Sequence, residues 1–310
     1  MNARTLVMGY HTLGCLGFDA LLRHGFDVSA VFTHHDHPGE EIWWDSLAQR
    51  AEATGVPVHY PQNMKDPQTQ ALVASYAPDF IFSFYFRFMI PPEVLEMAKR
   101  GALNLHGSLL PKYRGRAPAN WVLVNGETET GVSLHYMVSK PDAGELVDQE
   151  PVAIAFEETP RSLYAKLEEA AVKVLDRSLP LLKAGTAPHR PLDLSAGSYF
   201  GGRKPADGKL DWSWPAVKNF YLIRGVTHPY PGAFTSWSGT KLFVWWAKPL
   251  DRAHGTAPGT LLDVSEEGIL VACSQGALLI TRCQLEGEAE MDAAQLARSH
   301  HIEPGVQLGT

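Results

Sequence analysis

The first half of the chain alternates short, continuously apolar runs with helix-like stretches, and this alternation constrains the fold more than any other feature. Thr5 to Gly9 is an unbroken strand-like run, Leu16 to His24 reads as a helix stopped by Gly25, and Asp27 to Phe32 is the next strand. A second helix is expected from Trp44 to Thr54, closed by Gly55. A short edge strand from Val56 to His59, a helix from Pro67 to Tyr76 and a strand from Asp79 to Ser83 follow. Strands that are apolar on both faces and separated by helices predict an α/β fold, a Rossmann-like domain with a mostly parallel sheet whose ligands meet the carboxyl ends of the strands. The turn Gly14-X-X-Gly17 lacks the complete dinucleotide fingerprint, so no nicotinamide cofactor is implied.

Between Pro180 and Pro205 the composition shifts: Pro180, Pro188, Pro191 and Pro205 mix with Gly185, Gly197, Gly201 and Gly202, marking a linker or long surface crossing. Beyond it, Leu210 to Trp212, Lys241 to Trp246, Gly259 to Val264, Gly268 to Cys273 and Ala277 to Thr281 read as short strands separated by turns, the pattern of a small open β-barrel of OB-like type. The expected organisation is therefore an α/β domain over residues 1–190, a linker over 191–205 and a barrel domain over 206–310. No apolar run reaches the ~18 residues that span a bilayer, and Met1 to Thr5 open a strand rather than a signal peptide; a cytoplasmic protein without membrane insertion is expected. Cys15, Cys273 and Cys283 are odd in number and far apart, so they imply neither a disulfide framework nor a metal knuckle. A net charge of −7 argues against a nucleic-acid partner, because binding a polyanion depends on neutralising phosphates.

The chemistry concentrates in Ala102 to His106. In a strand, side chains two apart share a face, so Asn104 and His106 project together. Asp142 follows 36 positions after His106, past the apolar run Gly131 to Val138, in a loop broken by Pro141 and Gly144; a neighbouring strand brings it back beside His106. An amide, an imidazole and a carboxylate suffice to hold an oxyanion and shuttle a proton during acyl transfer to an amine. The same residues also suit ordinary hydrogen-bonded structure at a strand end. No serine or cysteine carries a nucleophile motif, and Ser108 fits a turn residue or a substrate contact. Arg114 and Arg116 offer forked donors for carboxylate or phosphate, Arg114 equally as a loop anchor. Tyr10, Trp121, Tyr230 and Trp237 suit stacking of a base, and Arg203 or Arg224 a diphosphate, although aromatics more often fill a core. His34, His35 and His37 read as a solvated loop, and no metal site is expected.

The segment Asn104 to Asn120, NLHGSLLPKYRGRAPAN, with the later Asp142-Ala143-Gly144, resembles the signature of the folate-dependent formyltransferases. Tyr10-His11 with Gly14 to Gly17, Phe32-Thr33-His34, Phe82 to Arg87 and Trp121 to Val132 support the resemblance, which weakens beyond Leu250. It implies 10-formyltetrahydrofolate as co-substrate without a metal, with Asn104, His106 and Asp142 as the catalytic group. It also implies a pterin read by the backbone of Phe88, Met89 and Ile90 on one side and by Val138, Ser139, Lys140, Pro141 and Asp142 on the other, with Arg116 on folate. Phe88 stands where the nearest relatives commonly have histidine. Among the family's branches the chain is most similar to those that formylate UDP-4-amino-4-deoxy-L-arabinose for lipid A modification and polymyxin resistance. Tyr10, Ser108, Arg114, Arg203, Arg224 and Tyr230 are its candidate acceptor contacts. Branches acting on methionyl-tRNA carry a basic loop after the second strand, where this chain has Glu40 and Glu41. Methionyl-tRNA or glycinamide ribonucleotide as acceptor, formyltetrahydrofolate hydrolysis, and folate binding without turnover are the alternatives. A decarboxylase domain that follows on the same chain in that branch is expected here on a separate polypeptide partner.

Overall fold

The computed structural model of the protein describes residues 3–309, so the part of the N-terminal expectation that concerns Met1 and Asn2 lies outside it. Along the chain come β1 (Arg4–Gly9), α1 (His11–Arg23), β2 (Asp27–Phe32), α2 (Leu47–Glu52), β3 (Val58–His59), α3 (Pro67–Ser75), β4 (Phe80–Phe84), α4 (Pro92–Leu95), β5 (Gly101–His106), β6 (Arg114–Gly115), α5 (Pro118–Val124), β7 (Glu129–Tyr136), β8 (Leu146–Ala153), α6 (Pro160–Ala184) and β9 (Tyr199–Phe200). Then follow α7 (Ala216–Val226), β10 (Ala233–Trp237), β11 (Thr240–Leu250), β12 (Leu261–Ser265), β13 (Gly268–Ala272), β14 (Ala277–Leu285), β15 (Met291–Asp292) and α8 (Ala293–Ser299). Two compact units result. The first runs to Pro118 and adds Glu129–Ala153 and Tyr164–Gly201; the second takes Ala119–Thr128, Ile154–Leu163 and the chain from Gly202 onward.

In the first unit, β4 is buried throughout and β1 at all but its first residue, as continuous apolar runs require of a sheet covered on both faces. The strand order is β3-β2-β1-β4-β5-β7-β8, parallel through β5 and antiparallel at β7 and β8. Because the chain order reverses between β1 and β4, the crevice at their carboxyl ends is a topological switch point. Leu6, Met8, Phe32, Ile81, Val73 and Val94 share one core cluster, each contributing about 1.5–3 kcal/mol by burial.

Several boundaries differ from the sequence expectation for identifiable reasons. Helix α1 starts at His11 rather than Leu16, so Gly14 and Gly17 lie inside it instead of forming a turn. A Cβ on Gly17 would sit 2.4 Å from the Phe84 ring, and glycine there lets α1 close onto β4. Helix α2 starts at Leu47 because the Ser46 hydroxyl accepts from the Gln49 amide, 3.4 Å; Trp43 and Trp44 precede it. Pro180 lies within α6, so the crossing begins only after Ala184. Within the stretch expected as linker, β9 pairs with β6, matching Arg114 with Tyr199 and Gly115 with Phe200.

The second unit carries an antiparallel sheet, ordered β10-β11-β14-β13-β12 with β15 on β14. Its core gathers Phe220, Ile223, Val244, Leu278, Ile280 and Leu296. Leu210 to Trp212 is not a strand: the Leu210 amide donates to the Phe234 carbonyl, 2.8 Å, and the chain turns at Trp212, whose buried indole N–H donates to Thr235, 3.1 Å. β10, α7 and α8 lay outside the sequence expectation. All three cysteines are buried free thiols, and burial pushes Cys273 up to about 11 and Cys15 and Cys283 up to about 12. No helix among the described residues is long and apolar enough to cross a membrane.

Candidate active site

β5 carries Asn104 and His106 to the carboxyl end of the sheet, and its antiparallel neighbour β7 sets His135 opposite Asn104 and Ser133 opposite His106. Past Tyr136 the chain loops and returns. Asp142 adopts φ 49°, a left-handed conformation that aspartate tolerates better than most residues. At Gly144 any Cβ would lie 1.9 Å from the Tyr136 carbonyl oxygen. The loop therefore closes tightly enough to bring the carboxylate back over β5.

Three side chains converge on one oxygen. Asp142 Oδ1 lies 3.7 Å from His106 Nδ1 and 3.5 Å from His135 Nε2, and it accepts from Asn104 Nδ2 at 3.4 Å. Asp142 Oδ2 accepts the Gly115 amide at 2.8 Å. Acceptor chemistry assigns the protons. The Tyr113 carbonyl, 2.8 Å from His106 Nε2, can only accept, so Nε2 carries hydrogen; the Tyr136 carbonyl, 2.8 Å from His135 Nδ1, fixes that hydrogen likewise. His135 Nε2 then accepts the second Asn104 hydrogen at 3.2 Å. A further proton taken by the cluster would go to His106 Nδ1 or His135 Nε2, both facing the same carboxylate. Burial pushes the Asp142 carboxyl up, but His106, His135 and the Gly115 amide outweigh it and hold it well below the usual carboxylate range. Asp142 is charged.

The loop from Gly107 to Ala117 is braced from within. Ser108 is fully buried and donates to the Lys112 and Tyr113 carbonyls at 2.7 and 3.3 Å, while Ser133 donates to the Ser108 carbonyl at 2.6 Å. Ser108 is thus the turn brace, and its candidacy as a substrate contact is corrected. Gly115 has φ 102°, and a Cβ there would lie 2.1 Å from the Phe200 carbonyl oxygen. Arg114 is buried with Nε unpaired, whereas Arg116 is exposed and its backbone N–H bonds the Phe200 carbonyl. Phe88 and Met89 are exposed and Ile90 is buried. Among the described residues none bonds the backbone of these three, and Val138, Ser139 and Lys140 are exposed too.

Other sequence candidates are already engaged. Tyr10 is buried with its hydroxyl on Asp36, its ring beneath Arg87 at 4.4 Å and edge-on to His34 and Trp44. It is a wall of the crevice, not a free stacking platform. Arg224, 1% exposed, donates to the carbonyls of Leu123, Ala155 and Phe156, which occupies the guanidinium and corrects its diphosphate role. Arg203 covers the Trp121 ring at 4.5 Å and donates to the Asp207 carbonyl, so these two candidates engage each other. Trp237 packs on the second unit's core, and Tyr230 is a half-buried turn residue bonded to the Thr227 carbonyl. His34 accepts the Arg87 backbone N–H, His35 stacks on Tyr60 and His37 accepts the Gly39 N–H. His135 was missed. It lies within the quoted apolar run, and only the β5–β7 register places it opposite Asn104.

The sequence profile described as Formyl transferase matches residues 19–179, and that described as Formyl transferase, C-terminal domain, matches residues 203–301. The chain belongs to the formyl transferase family. The second match carries this formyl transferase's resemblance well past Leu250. Among solved structures, HypX from Aquifex aeolicus is similar at 20% identity and TM-score 0.64 over 97% of this chain and 48% of its own. The formyl transferase thus spans about half the length of HypX. The N-formyltransferase from Helicobacter canadensis, solved with folinic acid and dTDP-3-aminofucose, is similar at 19% identity and TM-score 0.68 over 90% of this chain and 98% of its own. WlaRD, a sugar 3N-formyl transferase solved with dTDP and 5-N-formyl-THF, is similar at 17% identity and TM-score 0.70 over 93% and 99%. These likenesses establish a shared fold.

Proposed function

We propose that this formyl transferase moves a formyl group from 10-formyltetrahydrofolate to the amine of a nucleotide-linked amino sugar, with UDP-4-amino-4-deoxy-L-arabinose as the acceptor that the sequence favours. The observation that carries the reading is the convergence of Asn104, His106 and His135 on Asp142 Oδ1 at the carboxyl end of β5. Among the described residues nothing bonds the backbone of Phe88 to Ile90, which fits the flat, hydrogen-bonding edge of a pterin. When bound, the folate supplies an activated formyl carbon on N10. The two solved neighbours bound to dTDP or a dTDP amino sugar support the acceptor class, and His34 to Trp44, with Asp36, Glu40 and Glu41, repels a tRNA backbone.

In this reading the acceptor amine forms the new C–N bond, and the carbonyl electrons move onto oxygen. Asn104 exchanges its long bond to Asp142 for one to that oxygen. His106 Nδ1, with its Nε2–H fixed by Tyr113, takes the proton shed by the amine and turns it toward that oxygen, and Asp142 stabilises the resulting imidazolium. Each preset donor in a water-poor site is worth roughly 2.7–4 kcal/mol in the transition state. His106 then delivers that proton to N10 as the old C–N bond breaks, giving a formamide and tetrahydrofolate. The test is incubation with 10-formyltetrahydrofolate and a panel of UDP- and dTDP-linked amino sugars, read by mass spectrometry. Gain of one formyl group is expected, and inactivity with every sugar would discard the assignment. Formate release without any amine would point instead to hydrolysis.

A further inference from the structure

Apart from the cluster on β5, the first unit holds a second feature at the carboxyl ends of its strands. A cleft of about 110 Å³ opens where β1, β2 and β3 end, walled by Tyr10, Thr33, His35, Asp36, Trp44 and Tyr60 among others. Two walls are flat: His35 and Tyr60 stack at 3.9 Å between centroids and 5° between planes, and Trp44 contributes an indole. Asp36 follows the end of β2, where a carboxylate in a doubly wound sheet can accept hydrogen bonds from a ribose diol. Its Oδ1 is held by the Tyr10 hydroxyl, while among the described residues nothing bonds Oδ2.

Charge restricts the occupant. Among the described residues no lysine or arginine lines the cleft. Arg87, over Tyr10, is already paired with Glu40 at 3.0 Å. An anionic group such as the glutamate tail of folate would meet Asp36 without a counter-ion, whereas a neutral heterocycle bearing hydroxyls would meet stacking walls and a free acceptor. From the end of β2 to the end of β5 the sheet order passes β1 and β4, three strand spacings or about 14 Å, a span suited to a diphosphate and a pyranose ring.

We infer that this cleft binds the nucleoside of the acceptor, its base against Tyr60 and Trp44 and its ribose diol on Asp36 Oδ2. The inference rests on the proposed amino-sugar nucleotide acceptor and assigns the part of the molecule that recognises the nucleotide. Calorimetry on the full chain with UMP and dUMP tests it directly, without turnover. UMP should bind about tenfold tighter than dUMP through the additional hydroxyl on a charged acceptor, a preference that Asp36→Asn erases. Tyr60→Leu should weaken both nucleotides about tenfold and raise KM for the amino sugar more than it lowers kcat. Both positions are at or near the surface, and melting curves check that the variants fold. Unchanged UMP affinity in both folded variants, or displacement of UMP by folate instead of by the nucleotide sugar, overturns the assignment. The expected UMP pattern without formylation of any amino sugar leaves the cleft assigned and removes the proposed reaction. Formylation with KM unmoved in both variants does the reverse.

Discussion

Replacing Asp142 with asparagine tests the proposed mechanism most sharply, because it keeps the shape and removes the charge. In the native protein the carboxylate lies 3.7 Å from His106 Nδ1, and the two side chains are only 13% and 7% exposed. At an effective dielectric near 20, a unit charge pair at that distance is worth about 4 kcal/mol, little of it lost to solvent screening. If formyl transfer passes through an imidazolium at His106, most of that attraction disappears from the transition state and little from the substrate complex. Asparagine can still accept the Gly115 amide through its oxygen, but its nitrogen cannot accept from Asn104. A loss of about 4 kcal/mol corresponds to ~10³ in kcat, and solvent entering the site would reduce this toward ~10². The assay is single-turnover formyl transfer at saturating folate and acceptor, with folate affinity measured separately by titration; kcat should fall while folate affinity holds within about threefold. Turnover within about threefold of wild type, or a loss confined to folate affinity, would refute the assigned role. The same substitution has a stability signature. A carboxyl held below its ordinary range contributes stability in full above about pH 4 and loses it as pH falls further, so the asparagine variant should lack this acid-labile component.

Arg224→Met should destabilise the second unit by about 1–3 kcal/mol, since the buried Leu123 carbonyl and the part-buried Ala155 and Phe156 carbonyls lose their donor, while nucleotide affinity per folded molecule stays unchanged. A variant that melts like wild type but binds nucleotide weakly would restore Arg224 as a ligand contact. His11 is 1% exposed, with both ring nitrogens unpaired among the rings of Trp43, Trp44, Tyr85 and Tyr164; burial and then Arg87 push it down to about 3. The unfolded chain protonates this residue near pH 6.5 and the folded chain does not until about pH 3, so the unfolded state binds more protons in between. Stability should therefore decline as pH falls from about 6.5 to 3, by up to roughly 4 kcal/mol, and His11→Phe should flatten that decline in denaturant titrations. Equal slopes in the two proteins would sink the argument.

What the sequence made legible follows from which interactions are local. β1 and β4 were readable because burial on both faces demands unbroken apolar runs, and Asn104 with His106 because a period of two is a property of any strand. Asp142 was readable only in part. Its return to β5 depends on the left-handed turn at Asp142 and on Gly144, where the Tyr136 carbonyl leaves no room for a Cβ. His135 was not readable as a partner, since one step of register between β5 and β7 would point it to the other face. Gly14 and Gly17 read as a turn because glycine breaks helices locally, yet they let the helix approach its neighbours: Gly17 lies against Phe84 and Gly14 against Leu47 and the Gly9 backbone, contacts set far along the chain or by tertiary packing. The arginines make the limit general. Arg114 and Arg224 are both buried and carry the same five donors, but Arg224 reaches carbonyls 101, 69 and 68 positions away whereas the Arg114 Nε finds none. Residue type announces that a guanidinium needs oxygen atoms, and tertiary structure decides whether the protein supplies them. An arginine that the fold leaves short is therefore a better guide to an anionic ligand than one merely placed in a suggestive motif.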